Sequence, residues 1–86
     1  MKYILISAIW CPSCIIMRPR YQKYLSAKNI SFQELDFDDD EDEIKKYNIG
    51  KTLPVMIVIK NNDEVLRIIG EKSEKELVKL FDGLGL

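Results

Sequence analysis

Residues 3–14 read Tyr3-Ile4-Leu5-Ile6-Ser7-Ala8-Ile9-Trp10-Cys11-Pro12-Ser13-Cys14, an apolar run that breaks into two cysteines separated by two residues. Tyr3 to Ile6 is continuous, apolar and too short for a helix, which fits a strand covered on both faces and therefore central in its sheet. Pro12 suits the first position of a helix, where its missing N–H costs nothing. From there Met17, Tyr21, Tyr24 and Leu25 form a stripe at helical spacing, and a helix is expected up to about Asn29. Cys11 then falls near the N-cap, where unpaired backbone N–H groups and the positive end of the helix dipole face its sulfur and favour the thiolate, the reactive form. Cys14 comes round the first turn, within bonding reach of Cys11 and further inside the helix. One sulfur attacks and the other resolves.

Working outward, Phe32 to Phe37 mixes aromatic with acidic positions and reads as an edge strand. Asp39 to Tyr47 has acids in its first turn and Lys45 and Lys46 in its last, with Gly50 shortly after, so a short helix is expected there. Val55 to Ile59 is a second central strand. Asn61-Asn62 accept the positive φ of a tight hairpin, and Val65 to Ile69, with Arg67 inside it, returns antiparallel as the other edge. Ser73 and Glu76 make a capping box ahead of Leu77, Leu80, Phe81 and Leu84, a final helix that stops near Gly83. The order βαβαββα implies an α/β fold with helices on both faces of a four-stranded mixed sheet. Its strand order is 2-1-3-4, the two apolar strands inside and the first pair parallel.

Composition narrows the chemistry. Eighty-six residues, 47% apolar and 31% charged, make one small globular domain spanning 1–86. A formal net charge of -1 argues against nucleic-acid binding. With two Cys and no His, the usual zinc sites and the Ser-His and Cys-His nucleophile pairs cannot be assembled in one chain. Met1-Lys2 followed by Tyr3 to Ile9 has the order of a secretory signal, but the run is short and bulky Trp10 stands where a small residue should precede cleavage. No run spans a bilayer, so a cytoplasmic, membrane-free monomer is expected, and in that compartment a close Cys pair is more often catalytic or metal-binding than structural. Glu34 to Glu43 holds eight acids in ten positions, whereas residues 1–33 hold five basic residues and no acid. That run reads first as a solvated strand end and helix start, and second as a docking site for a basic partner.

Other readings of the Cys pair are weaker. A structural disulfide across so short a loop removes little unfolded-state entropy. Half a zinc site lacks further ligands of the usual kind, and two inert core cysteines would be placed at a strand-to-helix junction by chance. A module that holds or passes a soft metal such as Cu(I) is the alternative of a different class.

Trp10-Cys11-Pro12-Ser13-Cys14 followed by Pro19 resembles the thioredoxin pattern of Trp-Cys-x-x-Cys with a helix-kinking proline five residues after the second cysteine. The resemblance continues through Tyr47-Asn48-Ile49, Leu53-Pro54, the apolar strand, Lys60-Asn61-Asn62 and Gly70, nearly the whole chain. Thr52-Leu53-Pro54 and Cys-Pro-x-Cys are also similar to glutaredoxins. Membership of the thioredoxin/glutaredoxin superfamily implies a thioredoxin fold, thiol-disulfide oxidoreductase activity through Cys11 and Cys14, and a redox-active Cys11–Cys14 disulfide with no bound cofactor or metal. It implies a cis Pro54 opposite the cysteines, with Thr52, Leu53 and Pro54 as a substrate-binding segment whose backbone pairs with an extended peptide. Pro12 and Ser13 shape the motif, and Trp10 becomes a partly exposed wall of the substrate surface rather than core filling.

The sequence also departs from the family. Counting back from Trp10 puts Leu5 where thioredoxins bury an aspartate that handles the proton of the second cysteine. Ala8-Ile9 stand where glutaredoxins carry a Lys, and Gly70-Glu71-Lys72-Ser73 stand where they carry an acidic pair. Lys51 is the residue left to meet a glutathione carboxylate. The first strand and helix of full-length thioredoxins are absent, which leaves a glutaredoxin-sized core. The expected partners are disulfide-containing proteins, with a thioredoxin-reductase-type flavoenzyme, or alternatively glutathione, as electron donor.

Overall fold

In the computed structural model, which describes residues 1–85, the chain runs β1 (Lys2–Ser7), α1 (Pro12–Ala27), β2 (Gln33–Asp36), α2 (Glu41–Ile44) continued by a 3-10 turn (Lys45–Tyr47), β3 (Val55–Lys60), β4 (Asp63–Ile69) and α3 (Glu74–Asp82). The sheet order is β2-β1-β3-β4, with β1 parallel to β2 and the other two pairings antiparallel. This is the mixed sheet expected from two fully apolar strands flanked by two mixed ones. Tyr3 to Ser7 are buried without interruption, as befits a strand covered on both faces.

Two apolar layers sandwich the sheet. Tyr3, Leu5, Met56, Val58 and Ile68 meet α1 through Met17, Tyr21 and Leu25, and α3 through Leu77 and Phe81. On the opposite side Ile4, Ile6, Val55 and Ile57 meet Leu35, Ile44 and both cysteines. Alternation along β1 divides its side chains between these layers, a direct consequence of the two-residue period of a strand. Phe81 joins the first layer together: it stacks on Tyr24 at 5.0 Å between ring centroids and meets Tyr21 edge-on at 6.3 Å.

The short helix differs from its expected span of Asp39 to Tyr47. Its leading acids build the preceding turn instead, since the Asp36 carboxylate accepts the N–H groups of Asp38 and Asp39 and the Asp40 carboxylate accepts that of Asp36. The α-helix therefore begins at Glu41 and tightens into 3-10 geometry after Ile44. It ends at Tyr47, as expected, with Asn48 in the left-handed region (φ 52°) as its cap. Arg67 on β4 donates to the carbonyls of Tyr47 and Asn48, satisfying acceptors that the helix end leaves free. The hairpin turns at Asn61 and Asn62, both at positive φ as expected, and β4 begins two residues earlier than expected, pairing from Asp63 onward. Among the described residues no helix is long and apolar enough to cross a membrane.

Phe81→Ala should cost about 3–5 kcal/mol of unfolding free energy, because it empties the point where α1, α3 and the sheet meet. By contrast, the buried Tyr21 hydroxyl has no hydrogen-bond partner among the described residues. Tyr21→Phe should therefore leave the denaturation midpoint unchanged or raise it. Urea titration of the two variants checks both signs.

Candidate active site

The site lies where buried β1 gives way to α1. After Ser7 the chain turns through Ala8 to Trp10, a turn closed by the Cys11 N–H donating to the Ala8 carbonyl at 3.3 Å. Cys11 is the N-cap of α1, with extended backbone (φ -96°, ψ 111°), and Pro12 follows at the helix start. The Cys14 backbone N–H, in the first turn of the helix, is shared between the Cys11 carbonyl at 3.2 Å and the Cys11 sulfur at 3.3 Å. Both cysteines are free thiols.

The two sulfurs occupy unequal places. Cys11 keeps 6% of its surface exposed and Cys14 only 1%. Burial above all, and then the hydrogen bond with Cys11, push the Cys14 thiol up to about 11, against the weaker opposite pulls of a hydrogen bond from the Ala8 backbone and of the Arg18 charge. Cys14 is consequently protonated at neutral pH, a reserve thiol under a more accessible one.

Around this pair the surface is apolar at the rim and covered beneath. Ile9 and Trp10 are exposed at 83% and 59%, so Trp10 is not core filling. Its ring meets Phe37 edge-on at 6.1 Å, and its indole N–H donates to the Asp38 carboxylate at 2.7 Å. Pro12 is exposed and Ser13 half-buried at the start of α1. Leu53 is buried in the same apolar layer as both cysteines, and the Leu53–Pro54 peptide is cis. The Pro54 carbonyl accepts the Gly70 N–H at 2.8 Å, and the Gly70 φ of 81° places that donor. Leu53 makes no backbone hydrogen bond among the described residues. Lys51 and Thr52 are exposed on the approach to this segment.

One group of residues near the site was not singled out in the sequence. Ser7, buried at the end of β1, donates its hydroxyl to the Glu34 carboxylate at 2.8 Å. Arg18, one turn beyond Cys14 on α1, binds that carboxylate with its Nε at 2.9 Å and an Nη at 2.6 Å, and the same Nη reaches the Ser7 hydroxyl at 3.4 Å. The four-residue step from Cys14 to Arg18 was the available signal. The Glu34 end depends on strand register, which brings it beside Leu5. Among the described residues no group of three or more Cys, His, Asp or Glu converges as a metal site would require.

Comparison with known proteins agrees with the fold. The thioredoxin family model matches residues 2–82. Thioredoxin of Mycoplasma genitalium is 32% identical over 76 residues, covering 87% of this chain and 74% of that protein. Mouse mitochondrial thioredoxin is 32% identical over 72 residues, covering 81% of this chain but 43% of its own length. The chain thus spans less than half of some curated relatives that it matches. The structure of thioredoxin 1 from Thermosipho africanus superposes with a TM-score of 0.84 at 18% identity, covering 98% of this chain and 93% of that one, and so shares the fold. This chain belongs to the thioredoxin family. The matched model and these relatives are thioredoxins, and neither the glutaredoxin nor the soft-metal alternative gains support from them.

The raised Cys14 thiol has a measurable consequence for stability. From its ordinary value of 9.0 up to about 11 the folded state keeps a proton that the unfolded chain releases. Unfolding therefore becomes easier as pH rises through that window, and the contribution is fully present below it. Reduced wild-type protein should lose stability relative to Cys14→Ala as the pH is raised from about 9 to about 11. Urea midpoints that stay parallel across this range would contradict the burial argument.

Proposed function

We propose that this chain is a thiol-disulfide oxidoreductase that reduces protein disulfides by dithiol exchange. The observation that carries the reading is the asymmetry of the pair: Cys11 caps the helix and accepts the Cys14 N–H, while Cys14 lies buried beneath with its proton retained. Cys11 attacks a substrate disulfide, breaking its S–S bond, forming a mixed disulfide and releasing one substrate thiol. Cys14 then attacks the Cys11 sulfur, the mixed bond breaks, and the second substrate thiol leaves. Two electrons have passed to the substrate and the Cys11–Cys14 disulfide remains. The chemistry calls for no bound cofactor or metal.

Extended protein segments suit the surroundings as substrate. The exposed ring of Trp10 offers an apolar wall, and the unbonded Leu53 backbone beside the buried Pro54 offers strand-like pairing. Thr52 flanks that segment. For recharging, a thioredoxin-reductase-type flavoenzyme is favoured over glutathione. Glutathione's charged ends need cationic and anionic partners, yet upstream of the motif stand buried Ala8 and exposed Ile9, and Lys51 is the cation that directly precedes the Thr52 to Pro54 loop. The proposed setting is the cytoplasm, as a monomer serving cell redox homeostasis through electron transfer to disulfides, with a potential in or near the range of roughly -200 to -270 mV found for glutaredoxins and thioredoxin.

Cys14→Ser should accumulate mixed disulfides with its substrates on non-reducing gels, and Cys11→Ser should trap none. The reverse pattern would exchange the two roles. Turnover of a disulfide substrate should be sustained by NADPH and thioredoxin reductase from the same organism. Equal turnover with glutathione and glutathione reductase would instead make Lys51 and the Thr52 to Pro54 loop a glutathione site.

A further inference from the structure

The resolving step poses a problem that the family's buried aspartate would ordinarily address. Cys14 must become a thiolate to attack the mixed disulfide, yet it is held protonated and Leu5 fills the aspartate position. Leu5 is 1% exposed and packed among Met17, Tyr21 and Met56, so no proton acceptor stands there. At the end of β1 stands an ionic assembly of Arg18 and Glu34 bonded to the Ser7 hydroxyl. Ser7 follows Leu5 by two residues and therefore faces the same way along β1. Glu34 pairs with Leu5 in register across the parallel β1–β2 ladder. Arg18 follows Cys14 by one turn of α1, and helical side chains lean toward the N-terminus, which carries the guanidinium back toward the cysteine pair. The bond from its Nη to the Ser7 hydroxyl places it against the residue preceding Ala8, whose backbone hydrogen-bonds Cys14.

We propose that Arg18, clamped by Glu34 and Ser7 one helical turn beyond Cys14, is a positioning residue whose permanent positive charge favours the Cys14 thiolate during resolution and so stands in for the missing buried acid. The proposal rests on Cys14 being the resolving thiol. Charge balance is direct: Cys14 gives its proton to solvent and attacks Cys11, and the departing substrate thiolate takes a proton back. Around Cys14 the participating groups are Cys11 at the N-cap of α1, Arg18 on α1, Glu34 on β2 through its bond to Arg18, and neutral Ser7 on β1. From α2 it is Ile44 that packs into the layer holding Cys14, while Glu41, Asp42 and Glu43 are exposed. From the loop before β3, Leu53 packs there. The Arg18 and Glu34 side chains are 39% and 36% exposed, so solvent screens the field and the effect should be modest.

The test follows a single resolving event. Reduced protein is mixed with a symmetric chromophoric aromatic disulfide, whose S–S bond Cys11 breaks to form a mixed disulfide and release one aromatic thiol, and the release of the second aromatic thiol as Cys14 attacks Cys11 is recorded by stopped flow from pH 5 to pH 10. Arg18→Met should slow release about three- to tenfold at pH 7 and move its pH profile upward, and Arg18→Lys should recover most of the loss. Glu34→Gln keeps a hydrogen-bond acceptor for Arg18 but removes the opposing charge, so it should move the profile downward. Alkylation of Cys11 by iodoacetamide should be altered less than release in each variant, and circular dichroism reports folding. Opposite shifts for Arg18→Met and Glu34→Gln support the proposal. Shifts in the same direction would show that the bridge acts through structure or that Glu34 is a base, and either result overturns it, as does an unshifted profile for folded Arg18→Met. Failure of the wild type to release the second thiol at all would count against Cys14 as resolving residue, a separate outcome.

Discussion

The junction between β1 and α1 sets everything else in the molecule. A fully buried strand must surrender the chain to a helix within four residues, and the helix must begin with backbone donors that have no partner inside it. Cys11 sits at that boundary as N-cap, with its sulfur 3.3 Å from the Cys14 backbone nitrogen. Pro12 follows where an N–H would be wasted. The same geometry that starts the helix therefore separates the two thiols: one at the rim beside the exposed indole of Trp10, the other sealed under it in the layer of Ile6, Leu53 and Val55. Desolvation raises the inner thiol and leaves the outer one the more accessible of the two.

Much of this was legible in the sequence because it depends on local patterns. The apolar runs Tyr3–Ile6 and Val55–Ile59, the capping box at Ser73 and Glu76, and the Asn61-Asn62 turn each have a periodicity or a backbone requirement readable over a few residues. Cys11 as N-cap followed from Pro12 in the same way. What could not be read depends on side chains meeting across the fold. Asp36, Asp38 and Asp40 look like a solvated acidic run, yet they bind a turn and the Trp10 indole. Arg67 marks an edge strand by its charge, but its service to the carbonyls of Tyr47 and Asn48 requires β4 and α2 to be brought together.

Glu34 shows the same division. In sequence it opens an acidic stretch, whereas in the fold it belongs to the cysteine site by way of Arg18 and Ser7. Parallel register places it beside Leu5, the position where the family's acid is missing. The exposed ion pair alone adds little to stability. Its significance lies in holding a long, otherwise mobile cation in one place near a buried thiol, where a fixed charge acts through less water than it would at the surface. A small fold can in this way draw an electrostatic device from the helix that carries the thiol while keeping the strand-to-helix junction unchanged.

Site-resolved alkylation of the fully reduced protein tests the inequality of the thiols most directly. A substoichiometric pulse of iodoacetamide at pH 7, followed by peptide mass spectrometry, reads the two cysteines separately. The account predicts label on Cys11 with Cys14 essentially unmodified, and label on Cys14 appearing as the pH approaches the value of about 11 to which burial raises its thiol. Equal labelling of the two cysteines at pH 7, or preference for Cys14, would contradict it.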